Sequence, residues 1–204
     1  MNDLHKALGD ISSIRRQMAS TTEFRGYGPA TLALTGVFAI AASTAQGLLV
    51  PDPATHLQSW LNIWLATAIV SATLTGIQMY TRARRIHSGL SNEMLRMAVE
   101  QFVPSAVAGF LITLVLLRAV PNEAWMIPGM LQVIFALGIF SSCRFLPRPM
   151  IAAGAWYLLT GLSCLAMAGT HALSPWAMGV PFGAGQFLVA GILFFNSAEE
   201  EHEV

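Results

Sequence analysis

The chain has 204 residues, of which 54% are hydrophobic and 11% are charged, and its formal net charge at pH 7 is zero. Soluble domains carry roughly a quarter charged residues, so this chain lacks the polar shell that keeps a soluble protein dispersed. The composition therefore excludes a soluble globular domain. It also excludes a basic nucleic-acid-binding surface, and no nucleic-acid partner is expected.

Residues 1–26 form a segment of their own. Their apolar side chains recur at spacings of three and four residues, which is the period of one helix face: Leu4, Leu8, Ile11, Ile14 and Met18. The pattern predicts an amphipathic cytoplasmic helix. We expect it to lie on the lipid surface, to bind a cytoplasmic partner protein, or to pack on the protein's own loops.

The rest of the chain falls into apolar blocks of about 20 residues, the length that crosses a hydrocarbon layer of about 30 Å. Backbone polar groups in lipid must be satisfied internally, so these blocks are expected to be helices. The sequence thus predicts an all-α membrane protein with three short-looped hairpins in a transmembrane domain of residues 27–197, followed by an acidic tail at 198–204. The six predicted spans lie at about 29–50, 58–80, 100–120, 124–143, 149–170 and 175–197.

The basic residues predict the orientation. Ten of the 11 Lys and Arg residues fall on one side of the predicted spans, and Arg118 lies alone on the other. This asymmetry predicts a bacterial inner-membrane protein with both termini in the cytoplasm. Three basic residues between the second and third spans either hold this topology or bind anionic lipid headgroups: Arg82, Arg84 and Arg85.

Tryptophans mark the opposite side of the membrane in this topology. Trp60, Trp64, Trp125 and Trp176 all fall near the outer ends of spans. We expect them to form an aromatic belt at the lipid headgroups.

Signals of catalysis are missing from the sequence. No Asp, Lys or Arg lies in the middle of a predicted span, which counts against a proton-coupled carrier. The sequence also has no His-Glu-x-x-His motif, no Gly-x-Ser-x-Gly motif and no phosphate-binding loop. We therefore expect no enzyme activity and no cofactor.

Carboxamides are the strongest candidates for contact with a ligand or solute. Gln132 and Gln186 lie deep within predicted spans, and Asn62 is a third candidate. A carboxamide in lipid must find a hydrogen-bonding partner, so it faces other helices or a wet cavity. Polar contact between helices is the alternative interpretation.

A copper site is a further hypothesis. His56 and His171 fall at the predicted outer face, where Met126 and Met130 share one helix face. Imidazole and thioether groups bind Cu(I). Methionine is also a common apolar filler and histidine a common loop residue, so this hypothesis is disfavoured.

Small residues along the spans predict close helix crossings and allow a homodimer. The glycines concerned are Gly36, Gly76, Gly109, Gly138, Gly161 and Gly191.

Several short motifs carry a family resemblance. They are the run from Ile14 to Met18 with Gly36, then Val103 and Pro104 with Gly109, and the stretch from Trp176 to Gly191. On these residues the chain resembles a group of uncharacterised bacterial six-span integral membrane proteins, whose members often carry an imidazole at the position of Gln186. The resemblance implies the fold and adds no activity.

Two classes of function stay open. A non-catalytic module that senses, scaffolds or regulates is favoured by the amphipathic segment at 1–26. A small oligomeric permease or channel for a neutral or polar solute is favoured by the carboxamides beside glycines. An enzyme or redox protein ranks third.

Overall fold

A computed structural model describes residues 28–85, 89–143, 146–167 and 169–202, without the side chains of 82–85, 89–99, 170 and 197–202. Within this part the fold is all-α. The helices are α1 (Pro29–Leu49), α2 (Leu57–Arg85), α3 (Gly89–Ala119), α4 (Ile127–Ser142), α5 (Met150–Met167) and α6 (Pro175–His202). Short 3-10 helices, Pro121–Met126 and Thr170–Leu173, precede α4 and α6.

Six stretches of the described chain are long and apolar enough to cross a membrane. They are Pro29–Leu49, Leu57–Thr81, Glu100–Ala119, Pro121–Ser142, Met150–Met167 and Pro175–Asn196. Large apolar side chains cover the outside of the bundle, as they do in a protein surrounded by lipid. The prediction of an all-α multi-pass membrane protein with six spans is thereby confirmed.

The first described helix, α1, is itself one of these membrane spans. The amphipathic helix predicted for residues 1–26 lies outside the described residues. The end of the acidic tail, residues 203 and 204, also lies outside them.

Helices α2 and α3 continue past their apolar stretches. α2 runs on through 82–85, and α3 begins at Gly89, well before its apolar stretch starts at Glu100. At 1.5 Å per residue, the part of α3 at 89–99 is about 16 Å long. Hydropathy indicates where a chain leaves the membrane, but it does not distinguish a loop from a helix that continues into water. The side chains of Arg82, Arg84 and Arg85, in the last turn of α2, lie outside the described part.

The most extensive packing joins the first and last spans. α1 and α6 run antiparallel, and a Cβ added to Gly183 would lie 2.8 Å from Cγ1 of Ile40. α4 and α5 form a second close pair, in which a Cβ on Gly161 would lie 2.9 Å from the carbonyl oxygen of Gly129. Glycine allows these backbones to approach because it has no side chain to separate them.

The glycines that the sequence singled out divide into two groups. An added Cβ would meet close neighbours at four of them: Gly36, Gly109, Gly138 and Gly161. At Gly76 and Gly191 it would meet nothing within 4 Å. The first four glycines lie where two helices of this chain pack closely. Gly76 on α2 and Gly191 on α6 instead face space that the described residues leave open.

Helix α2 contacts the rest of the bundle mainly near its two ends. Trp60, Trp64 and Met79 are buried, but every side chain between Trp64 and Met79 is exposed or half-buried. That uncovered stretch is about 20 Å long. Of the apolar stretch of α2, 11% of residues are buried, compared with 33% to 44% in α1, α4, α5 and α6. α2 is therefore a peripheral helix. α3 is peripheral as well, since 6% of the residues in its apolar stretch are buried.

Two tryptophans differ from the expected aromatic belt. Trp60 and Trp64 are 1% and 6% exposed, and they pack in an apolar cluster with Ile127 instead of facing lipid headgroups. Gln46 supplies a partner for the indole N–H of Trp64, whereas the buried indole N–H of Trp60 has none among the described residues. Trp176 is 58% exposed and lies on the surface, as a belt residue would.

Candidate functional site

Polar side chains of α1 hold the beginning of α6. Gln46 is fully buried, and its Nε2 donates a hydrogen bond to the carbonyl oxygen of Leu173 at 2.8 Å. Its Oε1 accepts from Nε1 of Trp64 at 2.7 Å. Ser43, also fully buried, donates to the carbonyl oxygen of Pro175 at 2.8 Å. Both ends of the Gln46 carboxamide are therefore engaged in structural contacts.

The hydrogen-bond ladder of α6 is interrupted at Pro181. Proline has no N–H, so the carbonyl of Ala177, four residues earlier, loses its ordinary donor. Gln132 of α4 donates Nε2 to that carbonyl oxygen at 2.9 Å. Trp156 of α5 donates Nε1 to the carbonyl oxygen of Pro181, also at 2.9 Å. Since lipid offers backbone groups no partners, such donors make an interior proline tolerable in a membrane span.

Two carboxamide oxygens beside α6 have no partner. Gln132 is fully buried, and neither its Oε1 nor that of Gln186 has a hydrogen-bond partner among the described residues. Nε2 of Gln186 donates to the Tyr157 hydroxyl at 3.4 Å. A buried acceptor without a partner costs about 1–3 kcal/mol. These two oxygens are therefore the best-placed acceptors for a hydrogen-bonding solute.

An aromatic cluster surrounds the Tyr157 hydroxyl. The Tyr157 ring lies 4.8 Å from Phe135 and 5.3 Å from Phe182, measured between centroids. Phe102 of α3 extends the cluster, at 5.3 Å from Phe135. Rings from α3, α4, α5 and α6 thus fill the space between these helices, and the pair of Gln186 and Tyr157 lies beside an apolar wall.

Gln132 and Gln186 occupy different levels of the bundle. Gln132 contacts α6 at Ala177, which precedes Gln186 by about 13 Å along the helix axis. The hypothesis that these residues contact a ligand stays a prediction. If it holds, their separation implies two positions along one path and not a single shared pocket.

The third carboxamide candidate lies elsewhere. Asn62 is exposed on the first turns of α2, where its Oδ1 accepts a hydrogen bond from Nε2 of Gln58 at 2.9 Å. This position lies at the beginning of α2, before the uncovered stretch that follows Trp64. Its proposed contact with a solute also stays a prediction.

The residues of the copper hypothesis lie near the end of the bundle at which α1 ends and α2, α4 and α6 begin. His56 and His171 are exposed, whereas Met126 and Met130 are half-buried. The described residues contain no group of three or more His, Cys, Asp or Glu side chains able to hold a metal. Cys143, at the far end of α4, is half-buried, and burial raises the pKa of its thiol. The hypothesis that histidine and methionine bind copper stays a prediction.

No family model, curated protein or solved structure matches this chain. Its resemblance to a bacterial six-span group therefore stays a prediction as well.

Three residues of these contacts were not singled out from the sequence: Gln46, Trp156 and Tyr157. Gln46 lies near the end of a span, where a carboxamide can be solvated by water, so its burial was not expected. Trp156 and Tyr157 lie inside an apolar run and resemble packing residues. Their polar atoms predict a hydrogen bond even so, because a buried indole N–H or phenol O–H usually finds a hydrogen-bond partner.

Proposed function

We propose that the protein is a non-catalytic module of a bacterial inner membrane that scaffolds or regulates a membrane partner through the middle of α2. The observation that carries this proposal is the uncovered stretch between Trp64 and Met79. The described residues leave this part of the span uncovered, so it is available to lipid or to another protein.

The composition of this stretch favours another protein. Contact surfaces between membrane helices are rich in small and hydroxyl residues, which allow backbones to approach. Five of the nine exposed residues in the uncovered stretch are small or carry a hydroxyl: Ala66, Ala68, Ala72, Thr73 and Gly76. Of the ten exposed side chains of α3 between 101 and 115, six are large and apolar, compared with four of nine in the uncovered stretch of α2: Val103, Val107, Phe110, Leu111, Leu114 and Val115.

The spacing along α2 supports the same proposal. Ile69 is 57% exposed, and Gly76 lies seven residues further on the same helix face, with nothing near it. Side chains seven residues apart line up along the contact between two packed helices. A second copy of the chain, which would form the expected homodimer, is one partner of suitable chemistry, and a transmembrane helix of a different protein is another.

Photo-crosslinking in native membranes tests this proposal. A photoreactive residue at Ile69 is expected to give a discrete protein adduct, and one at Ile151 on α5 is expected to give none, although both isoleucines are 57% exposed. Gly76→Leu adds bulk to the contact face at a position where an added Cβ meets no described residue within 4 Å, so it is expected to abolish the adduct. An adduct of twice the chain mass identifies a homodimer. Equal adducts at both positions, or an adduct that survives Gly76→Leu, would overturn the proposal.

The proposal includes an orientation, with both termini, the helix at 89–99 and the segment at 1–26 facing cytoplasmic partners. It is supported by the segregation of Lys and Arg in the sequence. In a chain lacking Cys143 and Cys164, an impermeant maleimide is expected to label Thr55→Cys on intact spheroplasts and Arg148→Cys only after lysis. The reverse pattern contradicts this orientation.

A small permease is the second candidate function. It is favoured by the buried, unpartnered oxygens of Gln132 and Gln186 along the proline-interrupted helix α6. The first proposal predicts that liposomes containing the pure protein pass no small polar solute faster than empty liposomes do. A flux that Gln186→Leu abolishes, while the matched variant Gln58→Leu at an exposed position leaves it intact, would favour the permease instead.

A further inference from the structure

We infer that Gln132 and Trp156 form a hydrogen-bonded clamp that sets and holds a bend of α6 at Pro181. This inference is independent of the proposed function. A proline inside a helix removes a hydrogen bond and its ring pushes against the preceding turn, so it bends the helix. The clamp consists of two donors from different neighbours, one on α4 and one on α5, and both act within one turn of the break.

Each half of α6 is anchored on its own side of Pro181, and α1 takes part in both contacts. The first half is tied to α1 through the hydrogen bond from Ser43 to the Pro175 carbonyl. The second half packs through Val189 and Leu193 in a cluster that includes Leu32 of α1 and Met150 of α5. Between these anchors lie Pro181 and three glycines, which are poor helix formers: Gly179, Gly183 and Gly185.

The two donors of the clamp are chemically different. The carbonyl of Ala177 lacks its usual donor because residue 181 is proline, so Gln132 replaces a missing backbone bond. The carbonyl of Pro181 still faces the N–H of Gly185 one turn later, so the bond from Trp156 is an additional one. Restoring an N–H at position 181 therefore removes the need for Gln132 but leaves the contribution of Trp156 unchanged.

The orientation of Gln132 supports this assignment. Its carboxamide makes one hydrogen bond among the described residues, through Nε2 to Ala177, whereas Oε1 has no partner. The side chain is fully buried. The carbonyl released by proline is therefore the group that holds this amide inside the bundle.

A double-mutant cycle tests the clamp, with folding measured by SDS titration in mixed micelles. Gln132→Met keeps the length of the side chain and removes the donor. It is expected to lower the folding equilibrium constant roughly tenfold in the natural chain and less than about twofold when Pro181→Ala is present. Trp156→Phe is the matched control, because its effect is expected to be the same in both backgrounds.

The bend itself is measured by spin labels at two exposed positions on α6, Trp176 and Phe195. Pro181→Ala is expected to lengthen the distance between the labels toward that of a straight helix, about 28 Å between the backbones. Gln132→Met is expected to broaden the distance distribution, and Pro181→Ala is expected to narrow it again.

The cycle has a result for each outcome of folding. Rescue of a misfolded Gln132→Met by Pro181→Ala would support the clamp. Three results would overturn it. The first is an equal loss of the folding equilibrium constant with and without Pro181, and the second is failure of Gln132→Met to fold in both backgrounds. The third is a distance distribution that Gln132→Met leaves unchanged.

Discussion

Gln46 and Asn62 carry the same carboxamide in opposite surroundings. Gln46 is fully buried and bridges Trp64 of α2 to the Leu173 carbonyl, whereas Asn62 is exposed and contacts only its helix neighbour Gln58 among the described residues. Removing a buried carboxamide leaves its partners without hydrogen bonds in a medium that cannot replace them. Removing an exposed one leaves no such penalty.

Gln46→Leu is therefore expected to lower the free energy of unfolding by about 2–4 kcal/mol, since an indole N–H and a backbone carbonyl both lose their partner. Asn62→Leu, the same substitution at an exposed position, is expected to change it by less than about 0.5 kcal/mol. Equilibrium unfolding in mixed micelles measures both. Equal effects of the two substitutions would contradict the structural role of Gln46.

The sequence identified part of this chemistry. It singled out Gln132 and Gln186 because a carboxamide in a span must find a hydrogen-bonding partner. It did not connect Gln132 with Pro181, because the contact joins residues on different helices that are 45 positions apart between Gln132 and Ala177. Local patterns show that a donor is needed but not which helix supplies it.

At the scale of elements, glycines determine which helices approach closely. A Cβ on Gly161 would lie 2.9 Å from both the Cβ of Gln132 and the carbonyl oxygen of Gly129. At Gly76 the space is open. The sequence predicted a close helix crossing at both glycines. A small residue is compatible with a crossing, but the sequence does not show whether another helix of the chain lies beside it.

Alanine substitution is expected to change stability in opposite directions at these two positions. Gly161→Ala forces α4 and α5 apart, and we expect a loss of about 1–3 kcal/mol. Gly76→Ala improves helix propensity without a clash, and we expect a gain of up to about 1 kcal/mol. Thermal unfolding in detergent measures the two variants. Destabilisation of the purified chain by Gly76→Ala would show that the face around it is not open.

At the scale of the whole molecule, hydropathy predicted six spans, and the described residues contain six. It did not predict that α1 and α6 would pair, because the six spans are similarly apolar and chain order does not fix their neighbours. For the same reason it did not show that α2 and α3 are peripheral. Those properties depend on which small and polar residues face one another after folding.

The central claim is that α2 is held at its ends and uncovered in its middle, beside a bundle of α1, α4, α5 and α6. Spin labels in lipid nanodiscs that hold one chain each test it most directly, with Val37 on α1, Ile69 on α2 and Leu159 on α5 as exposed label sites. The label at Ile69 is expected to be as accessible to oxygen dissolved in the lipid as the labels at Val37 and Leu159. A markedly lower accessibility at Ile69 would show that the middle of α2 is covered by its own chain, which would contradict the account.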